Sequence, residues 1–307
     1  MDVRQLQTLV AVAEHRTFSA AARALHTVQS NVSTHIARLE KELGVTLVDR
    51  SLGRLTAEGE VVVARARRVA AEMEALSSDV ASMTSQVTGG VHLGMIGTTG
   101  RWLTPMLLDD LAERHPGVAP VVVEATTSTL MPQLLTGQID LSVVNLPMRD
   151  PDLTVRPLFD EDLVAIVPTG HPLATNGPEV TLAELAEHEL LLGPKGSILR
   201  DEVDAAAATA GVELRSMAQI DGVRLVSTLA FQGYGPTIAP ATAIPQWAGP
   251  ANWTRLDIAE RPTRRVGLAL RRRGLLSAPA AAMRDALVRV VSEHSDDEPG
   301  VHQITLA

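Results

Sequence analysis

Three consecutive stretches decide the reading of the chain: Phe18-Ser-Ala-Ala-Ala-Arg-Ala-Leu25, the break His26-Thr27, and Val28-Gln-Ser-Asn-Val-Ser-Thr-His-Ile-Ala-Arg-Leu-Glu-Lys-Glu-Leu-Gly44. The first follows Thr17 and predicts a short helix whose alanines let another helix approach closely. In the third, the apolar positions Val32, Ile36, Leu39 and Leu43 step by 4, 3 and 4, one buried stripe on a helix ended by Gly44. Upstream, Val3, Leu6, Leu9, Val10 and Ala13 recur at helical spacing and predict an amphipathic first helix. Two helices joined by a short turn, the second carrying a narrow stripe, form a helix-turn-helix pattern. The other face of that second helix offers Gln29, Ser30, Ser33, Thr34 and Arg38. Small and amide side chains there suit the major groove of DNA, and an ordinary solvated helix face fits the same pattern.

Working outward, Val62, Ala66, Val69, Met73, Leu76, Val80 and Met83 step by 4, 3, 4, 3, 4 and 3. This strict, narrow heptad seam predicts a long helix pairing with a second copy of the chain; an amphipathic helix against its own domain is the alternative. Thr88-Gly89-Gly90 then reads as a hinge. Beyond it, β-like runs at 91–96, 118–124 and 141–144 alternate with helical ones at 102–114 and 130–136, which implies a largely parallel sheet covered by helices. Ligands bind such sheets at the carboxyl ends of strands. Those ends carry Gly97-Thr98-Thr99-Gly100, Ala125-Thr126-Thr127-Ser128 and Asn145. Their hydroxyls and free N–H groups suit an anion such as a carboxylate, although any one alone is also an ordinary helix cap.

Composition limits the function classes. The 307 residues are 45% hydrophobic, 21% charged and only 2% aromatic, so several globular domains with aliphatic cores are expected. There is no cysteine, which removes disulfides and thiol metal sites. No apolar run is long enough for a membrane span and no export signal is visible, so a cytoplasmic protein without membrane contact is expected. The net charge of −9 is unevenly spread: residues 1–60 hold seven basic and seven acidic groups, and the whole deficit lies beyond residue 88.

The helix-turn-helix segments, together with Val45-Thr-Leu-Val-Asp-Arg50 and Leu55-Thr-Ala-Glu-Gly59, resemble the LysR-type transcriptional regulators. Gly137-Gln-Ile-Asp-Leu141, Glu161-Asp-Leu-Val164, Pro168-Thr-Gly-His-Pro-Leu-Ala174 and Gly233-Tyr-Gly-Pro-Thr-Ile-Ala-Pro240 are similar to that family's effector domains. The resemblance implies an all-α winged helix-turn-helix at 1–60 and a linker (dimerisation) helix and hinge at 61–90. It further implies a two-lobed α/β domain like periplasmic binding proteins, with lobe I at 91–163 and 268–293, lobe II at 164–267, and a disordered tail at 294–307. Gln29, Ser30, Ser33, Thr34, Arg38, Arg50 and Arg54 are then the DNA contacts, the last on a short wing. Thr98, Thr99, Gly100, Thr127, Asn145 and Ser197 hold the effector, with Lys195, Asp221 and Gly222 near the mouth. Val62, Ala66, Val69, Met73, Leu76 and Val80 form the dimer seam.

The chain departs from the family pattern at Val28, where a Ser or Thr cap is usual, so Thr27 is the expected cap; at Thr34-His35, where Arg-Gln is usual; and at Pro236. The partners implied are double-stranded promoter DNA, a small polar or acidic effector, a second copy in a homodimer or homotetramer, and RNA polymerase. Neither a cofactor nor a metal is expected, since no nucleophile elbow or phosphate loop appears and the histidines are scattered. The alternative is a solute-binding sensor or an enzyme with a helical N-terminal module that does not bind DNA.

Overall fold

The computed structural model describes residues 1–50, 52–83, 86–175, 177–245 and 252–304. Helix α1 (Val3–His15) starts at Asp2, whose carboxylate accepts from the Gln5 N–H while the Gln5 side chain accepts from the Asp2 N–H. Helix α2 (Phe18–Ala24) is capped by Thr17, and α3 (Gln29–Leu43) ends on Gly44 at φ +73°. Thr27 does not cap α3: Val28 takes that position without a side-chain bond, and Thr27 instead accepts from the Asn31 amide at 3.0 Å. Val32, Ile36 and Leu39 are fully buried against Leu9, Val12, Ala21 and Ala22, which makes one small core of the three helices. Leu43, the last residue of the expected stripe, lies in the final turn and remains exposed. Two short antiparallel strands, β1 (Val48–Asp49) and β2 (Arg54–Leu55), form the wing.

Helix α4 (Ala57–Ser82) runs for 26 residues from its Thr56 cap. Its first turns pack on α1, so Val62 joins the N-terminal core and Ala66 is buried within the single chain. These two expected seam positions are therefore occupied by the chain itself. Val69, Met73, Leu76, Val80 and Met83 all stand exposed. The expected hinge is also changed: Thr88, Gly89 and Gly90 already belong to β3 (Thr88–Met95), where Gly89 pairs with Val118. Gly89 has φ +127°, and a Cβ there would fall 2.5 Å from the Ser78 hydroxyl, so glycine lets α4 lie against the strand.

Helix α5 (Gly97–Arg114), β4 (Gly117–Glu124), α6 (Thr127–Thr136) and β5 (Leu141–Leu146) complete a parallel β4-β3-β5 order. Strand β6 (Leu153–Pro168) leaves lobe I and enters lobe II without a break. Lobe II is β7 (Glu179–Val180), α7 (Leu182–Ala186), β8 (Glu189–Leu192), α8 (Ile198–Thr209), β9 (Arg215–Gln219), α9 (Val223–Phe231), β10 (Thr237–Pro240) and β11 (Trp253–Ile258). The chain returns through β12 (Thr263–Arg271), antiparallel to both β5 and β6, and continues into α10 (Ala278–His294) and β13 (Val301–Gln303). Two expectations change here. Residues 263–267 pair within lobe I, so that lobe resumes earlier than 268. The tail folds back, with β13 pairing on residues 159–161 of β6 and His302 bonded to Asp162 at 2.8 Å. Each lobe has its own aliphatic core, around Leu93, Leu107, Leu130 and Phe159 in one and Leu163, Leu185, Leu190 and Leu256 in the other.

At the entry to α4, a Cβ on Gly59 would stand 2.0 Å from the Leu47 carbonyl oxygen, a backbone atom that cannot move without opening the wing. Gly59→Ala is therefore expected to destabilise the N-terminal unit by about 1–3 kcal/mol, the usual cost of overpacking, read as an earlier urea midpoint of that unit.

Candidate functional site: a DNA-facing helix and an interlobe cleft

On the N-terminal unit, Gln29, Ser30, Thr34, Arg38, Arg50 and Arg54 are exposed and Ser33 is half-buried. Local bonds orient several of them. The Ser19 hydroxyl donates to the Gln29 amide oxygen at 2.8 Å, and the Thr34 hydroxyl donates to the Ser30 carbonyl at 2.8 Å. Glu40 braces the wing by accepting from the Leu47 and Val48 N–H groups, and its second oxygen reaches Arg50 at 3.4 Å. Arg38 and Arg54 carry no ion pair among the described residues, so their full charge is available to a phosphate.

The second site lies between the lobes. A cavity of about 250 Å³ is lined by the starts of four helices: α5 at Gly97, α6 at Thr127, α8 at Ile198 and α9 at Val223. Ile96, Thr126 and Gly222, which precede three of them, supply no side-chain cap, so backbone N–H groups there remain open. Helix starts carry positive partial charge, and four converging on one cavity favour an anion. The walls behind them are apolar, from Leu192, Val203, Ile220, Val226 and Ile238.

Of the six residues expected to hold an effector, Thr98, Thr127, Asn145 and Ser197 line this cavity, as do Asp221 and Gly222. Thr99 and Gly100 do not. Residues 97–100 form the first turn of α5 rather than a loop, which turns Thr99 and Gly100 into the protein interior. Lys195 is exposed and outside the lining. Several of the hydroxyls are already engaged. The Thr127 hydroxyl accepts from the Asn145 N–H at 3.1 Å. The Thr98 and Thr99 hydroxyls and the Asn145 side-chain amide oxygen accept from the guanidinium of Arg264 at 2.7, 3.3 and 3.2 Å.

Sequence reasoning misses Arg264. It is 1% exposed and makes two bonds to Glu161, itself 0% exposed, at 2.8 and 2.6 Å. The other Glu161 oxygen accepts from the Thr242 N–H at 2.7 Å. The signal lies in strand alternation: Arg264 shares the inward register of Val266 and Leu268, while Arg265 shares the outward one.

A further carboxyl, Glu202, sits on α8, which packs against β5 and β12 of lobe I. Burial pushes it up to about 7; the charge of Arg264 pulls the other way and that of Asp160 adds to the rise. Its Oε2 has no hydrogen-bond partner among the described residues.

Comparison with known proteins agrees with this layout. Residues 3–60 match the bacterial regulatory helix-turn-helix protein, lysR family, and residues 84–292 match the LysR substrate binding domain. The chain belongs to the LysR family of transcriptional regulators. A probable hydrogen peroxide-inducible genes activator of Mycobacterium avium is 37% identical over 277 residues, covering 87% of this chain and 86% of that one. A full-length OxyR of Pseudomonas aeruginosa, in a form with one cysteine replaced by aspartate, superposes with a TM-score of 0.76 at 25% identity, over 100% of this chain and 99% of that one. Full-length CbnR complexed with its target DNA gives 0.71 at 26% identity, over 94% and 100%. This LysR chain is thus a DNA-binding transcription regulator with an effector domain. The match at residues 3–60 sets aside a helical module unrelated to DNA. Among the described residues, no helix is long and apolar enough to cross a membrane.

Glu202 gives a pH signature. Its raised value means the folded state holds this proton more tightly than the unfolded one. Its favourable contribution is thus fully present below the ordinary carboxylate range and is lost as pH rises through about 7. Thermal melts of wild type and Glu202→Gln from pH 5 to 8 should diverge as pH rises, with the variant gaining relative stability; parallel curves would exclude this carboxyl as the cause.

Proposed function

We propose that this regulator binds promoter DNA as a homodimer, assembling further to a homotetramer, and that a small anionic ligand between the lobes sets how it binds. The observation that carries the ligand reading is the meeting of four helix starts on one apolar-walled cavity. The pairing rests on Val69, Met73, Leu76, Val80 and Met83, an exposed stripe along α4 that a second copy would cover. Pairing would set two copies of α3 on two half-sites. Gln29, Ser30, Ser33 and Thr34 would then read bases while Arg38, Arg50 and Arg54 meet phosphates, and the bound arrangement would govern contact with RNA polymerase.

Relatives of this chain are named for induction by hydrogen peroxide, and the OxyR structure above carries a substitution at a cysteine. This chain contains no cysteine. It therefore has no thiolate to react with peroxide and can form no disulfide. Reversible binding in the cleft is the reading that its own residues support. The ligand need only prefer one arrangement of the lobes, and its differential affinity sets the shift.

Two measurements test this. A thermal-shift screen of small carboxylates against the full chain should find a stabilising ligand that also alters promoter retardation. Ser128→Trp, which places an indole at the exposed rim of the cavity, should abolish both effects while leaving ligand-free DNA binding unchanged. A ligand response that survives Ser128→Trp would remove the cleft from the mechanism. For the DNA face, Arg54→Ala is expected to weaken promoter and random DNA alike and to reduce the salt slope by about 1 per site, measured by fluorescence anisotropy at several salt concentrations. A loss confined to the promoter would instead make Arg54 a base reader.

A further inference from the structure

Arg200, Arg224 and Arg264 line the interlobe cavity, and two of them are fully engaged within the protein. Arg264 is enclosed by Glu161, Thr98, Thr99 and Asn145. Arg200, 3% exposed, is held by Asp204 at 2.8 Å and by the Gly193 carbonyl at 3.1 Å. Arg224 differs. It lies in the first turn of α9, is 53% exposed, and its one ion pair among the described residues is with Glu124, 44% exposed, at the end of β4. Arg224 belongs to lobe II and Glu124 to lobe I, so the pair spans the mouth of the cavity that both residues line.

Two further features mark this as a place built to hold a carboxylate. The second oxygen of Glu124 lies 2.8 Å from where a Cβ on Gly97 would stand, so glycine at 97 leaves the carboxylate its room. On α5, Arg101 is held below its ordinary value, first by burial and then by the like charge of Arg224. The carboxylates of Glu298, Glu124 and Glu161, in that order, act against this lowering, so Glu124 is one of the negative charges that face the two arginines.

We propose that Arg224 is the guanidinium that recognises the effector's anionic head, and that Glu124 is its built-in competitor, displaced when the effector enters. This rests on the cleft reading above and narrows it. Behind Arg224 the walls are Ile198, Val203, Val226 and Ile238, so the ligand class is a monocarboxylate with a short apolar body rather than a sugar or an inorganic anion. On entry, the ligand carboxylate replaces Glu124 against Arg224, and a direct tie between the lobes becomes one made through the ligand. The competition is modest, because a half-exposed ion pair changes an equilibrium by roughly two- to fivefold.

The test is calorimetric titration of the full chain with hexanoate and with its neutral isostere hexanamide. Glu124→Gln is expected to bind hexanoate roughly two- to fivefold more tightly than wild type. Arg224→Gln is expected to bind it about tenfold more weakly or worse, the loss of a charge-assisted bond. Neither change should move hexanamide. Equal hexanoate affinity in Glu124→Gln and wild type, undiminished affinity in Arg224→Gln, or no hexanoate binding by any of them overturns the assignment. A carboxylate from the thermal-shift screen whose binding Ser128→Trp blocks and Arg224→Gln leaves unchanged would overturn this assignment and leave the cleft reading standing. Hexanoate binding that Ser128→Trp leaves untouched would overturn both.

Discussion

The buried pair of Arg264 and Glu161 is the constraint on which the two-lobed part depends. β6 and β12 are the two strands by which the chain passes between the lobes, and the pair faces itself across them at that passage. Taking both charges out of water costs several kcal/mol per ion before their attraction and hydrogen bonds offset it. Such pairs roughly break even against an apolar replacement, so the gain here is geometric. One guanidinium ties the start of α5 and the end of β5 to β12 and β6, and the same carboxylate holds the Thr242 N–H on the lobe II side. These bonds fix the direction of both charged groups, so the crossover has one arrangement. The cavity lies beside this fixed point, which lets its walls approach or separate without loosening the junction.

From that junction a physical path runs to α4. Helix α6 carries Thr127 at the cavity at one end; at the other, the Leu135 carbonyl accepts from Arg68 of α4 at 2.6 Å and the Leu134 carbonyl from Arg271 at 3.1 Å. Arg68 thus supplies a donor to a carbonyl of the helix's last turn, and Arg271 adds a second donor to the Leu134 carbonyl, which also accepts from the Gly137 N–H at 3.2 Å. A helix of ten residues, with Pro132 inside it, thus touches both the cleft and the helix that bears the exposed seam.

The parts legible in the sequence are those where one periodicity governs. The stripe Val32, Ile36, Leu39 needs only a helix and a neighbour, and α3 buries it as expected. Alternating strands and helices reveal the class of the sheet. The cleft hydroxyls are only half legible: strand ends point to Thr98, Thr127 and Asn145, but whether an end continues as loop or as helix decides the direction of Thr99. Arg264 and Glu161 are harder to read: strand alternation puts Arg264 on the inward face, but what it meets there shows only when its partner, 103 residues away in the chain, is placed opposite. The tail escapes for a related reason. Its acidic composition argues for disorder, yet its strand is held by an edge of β6 that only the finished sheet provides.

Charge on the DNA-binding unit leads to a last consequence for assembly. Residues 1–60 are electrically balanced, and within them Glu40 already draws on Arg50. A single copy of this unit therefore brings no net positive charge to a duplex. Affinity for DNA rises with the number of phosphates neutralised, because each neutralised phosphate releases counterions, with a salt slope of about −0.9 per phosphate. Doubling the count on one rigid frame doubles that exponent, and the second unit binds at the high effective concentration that the frame imposes. Joining copies thus multiplies the phosphates that one assembly can neutralise, and the apolar stripe left open on α4 is a surface that can join them.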